Sequence, residues 1–166
     1  MLPIALDNDR ELAAEIGLLL SCYAIIDLFL LHIYVTVSGQ TKESADIVLG
    51  RIKSNMQRIE LMRDLILVSN RVQKEHELNL LKKLEAATQL RNEYAHAIYS
   101  QVAASTTKWR MSMWLSDGRK RKKQFKDINV DIVRKDGVFI REVLQSLSHL
   151  SHSTWIHQRH FLNSRY

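Results

Sequence analysis

Arg91 and His96 are the two side chains whose types and spacing point most directly to chemistry. Cleaving RNA without a metal needs a base to take the proton of the ribose 2′-hydroxyl and a fixed cation to hold the phosphate as negative charge grows on it. An imidazole titrates near neutrality and can serve as base and then acid, whereas a guanidinium stays charged and holds phosphate oxygens in pairs. Both lie in the run Leu90-Arg91-Asn92-Glu93-Tyr94-Ala95-His96-Ala97. On an ideal helix their five-residue separation turns through roughly 140°, so the two do not share a narrow face and one copy of the motif offers half a cleft. Asn92, His96 and Tyr99 are expected to form a stripe that Arg91 must reach around to join, or complete with a second subunit. The plainer alternative makes Arg91 a cap or a salt-bridge partner of Glu85 or of an acidic residue on a neighbouring helix, and His96 a satisfied bundle histidine.

The elements that must carry these residues read as helices. Asn8-Asp9-Arg10-Glu11 has the form of a capping box and predicts a first helix from about Asp9 to Val37. Ser38-Gly39 closes it, Thr41 caps a short second helix ending near Gly50, and Ser54-Asn55 starts a third, amphipathic one. From about Lys74 to Val102 the apolar residues keep a helical rhythm and place the motif on a fourth helix. After Ser105-Thr106-Thr107, Trp109, Met111 and Met113 alternate with Arg110, Ser112 and Trp114 ahead of Asp117-Gly118, which predicts a β-hairpin. Asp136-Gly137 is expected to separate it from a last helix of about Val138 to Phe161. The fold class is therefore all-α: an antiparallel bundle of about four to five helices in a single domain over residues 1–166, with a small hairpin and basic flap at about 103–137 before the last helix.

Composition sets the surroundings. Hydrophobic residues make up 46% of the chain and charged ones 25%, enough for one core without low-complexity tracts. Cys22 is the only cysteine, so an intrachain disulfide is excluded and a reducing compartment, the cytoplasm, fits best. The apolar run Ile16 to Val37 is long enough to suggest a membrane span, but Asp27 near its centre and His32 after it favour a core helix and no membrane. An acid among such neighbours requires a partner. The net charge of +6 is uneven: residues 1–102 carry 11 Lys+Arg against 13 Asp+Glu, a net −2, and residues 103–166 carry 13 against 5, a net +8. The C-terminal part draws in polyanions.

The motif resembles the signature of HEPN domains, in which an arginine, usually followed by a polar residue, precedes a histidine by four to six intervening positions. The order of a long first helix, an amphipathic middle helix, the motif late in the next and a closing helix is similar too, so the likeness covers most of the chain. It implies a homodimer whose motif helices meet at a shared cleft that cuts RNA, a metal-independent endoribonuclease acting in a toxin–antitoxin or defence setting. By that resemblance Arg91 and His96 are catalytic, Asn92 orients the site, and Asp27 and Tyr99 support it. Antitoxin-paired members carry a tyrosine two residues after the histidine; here that position is Ile98, and Tyr99 follows. The alternative from another class is a noncatalytic helical module that binds nucleic acid or a protein partner.

Two further segments carry possible binding residues. Arg119, Lys120, Arg121, Lys122 and Lys123, with Lys126 beyond, form a basic flap that could track RNA phosphates while Trp109 or Trp114 stacks a base, or that simply blunts a strand edge. His149, His152, His157 and His160 spread too widely around the last helix for a zinc site. No phosphate-cradling glycine loop or nucleophile elbow occurs, and no cofactor is expected.

Overall fold

A computed structural model describes residues 6, 9–70, 72–102, 108–117 and 120–163, with side chains given except at 114–123 and from 150 onward. Among the described residues the order is α1 (Arg10–Ser38), α2 (Lys42–Arg51), α3 (Asn55–Val68), α4 (Lys74–His96), β1 (Ile98–Gln101), β2 (Trp109–Asp117), β3 (Lys120–Ile128) and α5 (Val130–Asn163). The described residues thus form five helices and a three-stranded antiparallel sheet ahead of the last helix.

The centre of the bundle is α1. Leu12, Ile16, Leu19, Tyr23, Ile26, Leu30 and Ile33 are all buried, and their alternating steps of four and three form a single seam. That seam packs most extensively on α5, and α2, α3 and α4 close around the rest. The start of α1 differs from the capping-box expectation. Asp9 is the N-cap, its Oδ1 accepting from the Leu12 amide at 3.0 Å, while Asn8 lies outside the described residues. Gly39 ends the helix at φ 68°, a left-handed conformation that glycine adopts without a Cβ penalty. Thr41 caps α2 by accepting from the Ser44 amide.

Three expectations are corrected. The fourth helix stops at His96 instead of running to Val102: Ala97 turns extended, and Ile98–Gln101 pairs with β2. Cross-strand pairing outweighed the helical rhythm, because Ile98 and Tyr99 suit a pleated surface equally well. The hairpin is accordingly part of a sheet in the order β1-β2-β3. The last helix begins at Val130, with the Asn129 side chain accepting from the Ile132 amide, and passes straight through Asp136-Gly137. Val133, Ile140, Val143 and Leu147 form its buried seam, and Asp136 falls on the same seam. The Asp136 carboxylate is satisfied there by the Tyr94 hydroxyl at 2.7 Å and the Lys126 ammonium at 3.4 Å, so the local turn signal yields to tertiary packing.

In the sheet, Trp109, Met111, Met113 and Ile128 face the core, as the alternation predicts. The Trp109 indole N–H donates to Asp9 Oδ2 at 2.8 Å and ties the sheet to the start of α1. Because β1 pairs only with 109–112 of β2, the rest of the β2–β3 hairpin extends beyond it as a two-stranded arm.

Candidate functional site

The motif arginine sits where three helices meet. Thr88 and Arg91, one turn apart on α4, both face Tyr23 of α1. The Tyr23 hydroxyl lies 2.8 Å from Thr88 Oγ1, and the Arg91 guanidinium rests over the Tyr23 ring at 5.7 Å from its centre. Thr88 also donates to the Leu84 carbonyl at 2.8 Å, which fixes the hydroxyl that Tyr23 meets. From α3, Asn55 Nδ2 reaches both the Tyr23 hydroxyl at 3.2 Å and Asp27 Oδ1 at 2.5 Å. Arg58 Nη1 donates to Asn55 Oδ1 at 3.2 Å and holds that amide in place. Burial, the dominant influence, raises the Tyr23 pKa, against the hydrogen bonds from Thr88 and Asn55 that lower it. Tyr23 therefore remains a neutral phenol that links helices.

Asp27 thus has its partner, Asn55, and is exposed although it lies within an apolar helix. It also borders an open cavity of about 340 Å³ between α1 and α2, around which His32, Lys42, Asp46 and Arg58 place charges of both signs. Arg91 is half-buried and donates from Nη1 to Asn92 Oδ1 at 3.0 Å. No described carboxylate pairs with it. Glu85, the salt-bridge partner considered for it, is engaged by Arg63 instead. No family model, curated protein or solved structure matches this chain.

Arg91, Asn92 and Asp27 are brought into one network, but His96 stands apart from it. It is the exposed last residue of α4 and makes no hydrogen bond or ion pair among the described residues. Asn92, His96 and Tyr99 do not form the expected stripe, because the helix has ended before Tyr99. Tyr99 sits on β1 with its side chain toward the core, and its hydroxyl donates to the Tyr94 carbonyl at 2.5 Å. That carbonyl belongs to the last helical turn, which lacks an intrahelical donor. Burial raises the Tyr99 pKa, so its role here is to fasten α4 to β1 as a neutral phenol.

The basic flap is divided by the strand. Lys120 and Lys122 fall on the same side of β3 as Ile128, and Arg121 and Lys123 on the other, while Arg119 lies with Gly118 outside the described residues between the paired Asp117 and Lys120. Lys126 is structural: it pairs with Asp136 at 3.4 Å and Glu93 at 3.7 Å and lies over the Tyr94 ring at 5.5 Å. Trp109, buried and bonded to Asp9, is not available to stack a base. The last-helix histidines 152, 157 and 160 have side chains outside the described set.

Tyr23, Asn55 and Thr88 were missed from sequence. Tyr23 and Asp27 are four residues apart on one helix, a spacing that could have drawn attention to them as a polar pair in an apolar run. Asn55 was legible only as a helix start, and Thr88 had no local signal at all.

Proposed function

We propose that the chain is a metal-independent endoribonuclease of the HEPN type, working as a homodimer in which two Arg91/His96 sets share one cleft. The observation that carries this reading is the state of Arg91. Its guanidinium is half-exposed, held by a ring and a neutral amide and by no described carboxylate, so its charge is left for a phosphate. Asn92 beside it is exposed, and Asp27 with Asn55 supplies acceptor and donor groups at the edge.

His96 makes no hydrogen bond to the Arg91 network within the described residues of one subunit, which favours a site completed by a second copy. Support for that copy comes from α1, which is long and apolar enough to cross a membrane by length and composition, with only a third of its most apolar stretch buried. Leu18, Ile25 and Leu28 are 49, 44 and 68% exposed on its outward side, and Ala14, Gly17, Ser21 and Ala24 among them allow close approach. A two-fold contact on this face, with α4 packed directly on α1 through Thr88 and Arg91, is the arrangement we favour.

In the reaction, the imidazole of His96 takes the proton of the ribose 2′-hydroxyl, the 2′-oxygen attacks phosphorus, and the bond from phosphorus to the 5′-oxygen breaks. The departing 5′-oxygen takes its proton from the imidazolium that His96 has become, leaving a 2′,3′-cyclic phosphate and a neutral imidazole, while Arg91 holds the nonbridging oxygens. The test is single-stranded RNA incubated with protein in excess chelator. Wild type should give cyclic-phosphate ends and spare DNA, His96→Ala should lose on the order of 10²–10⁴-fold in rate, and Arg91→Lys should recover only part of the loss in Arg91→Ala. Activity that survives in both alanine variants indicates a contaminant. Absence of cleavage on any RNA returns the chain to a noncatalytic module binding nucleic acid or protein.

A further inference from the structure

The cavity between α1 and α2 is bordered by three charged or titratable side chains that no described residue pairs. It measures about 340 Å³, at the small end of the roughly 300–1,000 Å³ that ligand pockets span. On α2, Lys42, Asp46, Leu49 and Gly50 follow the four-and-three spacing of one helix face, and all four line the cavity. Leu49 and Leu30 are buried and Leu31 is half-buried, so the wall between the polar groups is aliphatic. None of the described lining residues is aromatic.

Its polar groups fall into two sets. Asp27 and Arg58 are already fixed: Asp27 accepts from Asn55, and Arg58 donates from Nε to the Ile52 carbonyl at 3.0 Å and from Nη1 to Asn55 Oδ1 at 3.2 Å. Nearer the turn at Gly39, His32, Lys42 and Asp46 are exposed and make no hydrogen bond or ion pair among the described residues. Lys42 and Asp46 are one helical turn apart, a spacing that brings Cβ atoms within about 5–6 Å, yet they do not pair. Two opposite charges therefore stand open side by side on an aliphatic wall. Lys42 and Arg58 balance Asp27 and Asp46, so with histidine counted as neutral the lining carries no net charge.

We propose that this cavity binds a free aliphatic α-amino acid, with its carboxylate on Lys42, its ammonium on Asp46 and its side chain against Leu31 and Leu49. A zwitterion is neutral as a whole and carries its two charges close together, so it completes an open Lys–Asp pair without upsetting the charge balance of the lining. A phosphate-bearing ligand would meet the carboxylates of Asp27 and Asp46, and an aromatic base would find no ring to stack on. A wholly apolar ligand would cover Lys42 and Asp46 without satisfying either. The bonds that hold Asp27 and Arg58 fix their end of the cavity before a ligand arrives, which lowers the ordering cost of binding. Occupancy of this site requires no RNA cleavage.

The test is equilibrium dialysis of the full-length protein against labelled L-leucine. A Kd on the order of 0.1 mM is expected for so small a ligand, with L-alanine about tenfold weaker or more because most of the apolar side chain is missing. N-acetyl-leucine lacks the ammonium charge and leucinamide the carboxylate, and each should bind about tenfold more weakly or worse. Leucine should lose as much on Asp46→Asn and on Lys42→Gln. Gly50→Met fills the cavity from its wall. No atom lies within 4 Å of a Cβ added there, and methionine is the better helix former, so this variant should lose leucine binding with no fall in thermal stability. Thermal melts of every variant check folding. No leucine bound at about 10 mM ligand, or equal affinity for N-acetyl-leucine or leucinamide, would overturn the assignment. So would wild-type affinity in folded Asp46→Asn, Lys42→Gln or Gly50→Met. Displacement of labelled leucine by a nucleoside monophosphate at lower concentration than unlabelled leucine needs would give the cavity to a nucleotide instead.

Discussion

Replacing Tyr23 separates the two tasks of one side chain. Its hydroxyl joins α1 to Thr88 at 2.8 Å and to Asn55 at 3.2 Å, while its ring carries Arg91 at 5.7 Å. Tyr23→Phe removes only the hydroxyl. Neither partner is orphaned, because Thr88 keeps its bond to the Leu84 carbonyl and Asn55 its bond to Asp27. The loss is therefore two net hydrogen bonds without a desolvation penalty, about 1–2 kcal/mol in all. At roughly 2–4 °C per kcal/mol for a chain of this size, Tm should fall by about 3–6 °C. Phenylalanine presents the same ring face, so Arg91 stays in place and the rate of RNA cleavage should change little. Tyr23→Leu removes the ring as well, and releasing the arginine should lower kcat/KM on the order of 10- to 100-fold, as a displaced charge at the reacting phosphate does. Thermal melts and initial rates on a single-stranded RNA measure both effects. A Tyr23→Leu protein that is folded and cuts as fast as Tyr23→Phe would refute the claim that the ring positions Arg91.

Ile25→Asp with Leu28→Asp should convert a dimer to a 19.3 kDa monomer in light scattering while the helical circular dichroism is kept, because both positions are exposed in the single chain; a wild type already monomeric at micromolar concentration refutes the shared cleft. Gly39→Ala should cost about 1 kcal/mol in urea unfolding, from the left-handed backbone alone, since no atom lies within 4 Å of the added Cβ. Tyr94 and Tyr99 both have raised pKa values, from burial first and, for Tyr94, from Asp136 as well. Their stabilising effect is complete below the ordinary tyrosine value of 10.0 and is lost as pH rises above it, because the unfolded chain gives up its protons first. Stability measured from pH 9 to 11 should fall less steeply in Tyr94→Phe and Tyr99→Phe, and slopes equal to wild type would exclude the linkage.

The sequence alone determined what depends on local periodicity and composition. The seam from Leu12 to Ile33, the Gly39 stop, the Thr41 cap, the buried and outward faces of β2, and the division into a long first helix and a helical close all follow from spacing that each segment carries within itself. The residue types on which the proposed RNA chemistry rests, Arg91 and His96, were legible for the same reason. What tertiary structure decided were the places where two local tendencies were near balance. Ile98 and Tyr99 could extend α4 or pair with β2, and the presence of β2 selected the strand, which removed Tyr99 from the helical stripe and opened the outward face beside His96. Asp136-Gly137 could turn the chain, but Tyr94 and Lys126, reaching it from α4 and β3, supplied partners that let the aspartate sit on the α5 seam. The setting of Arg91 is of the same kind: Tyr23, Asn55 and Thr88 come from three helices separated by more than thirty residues each, and no local pattern encodes a meeting that only packing brings about.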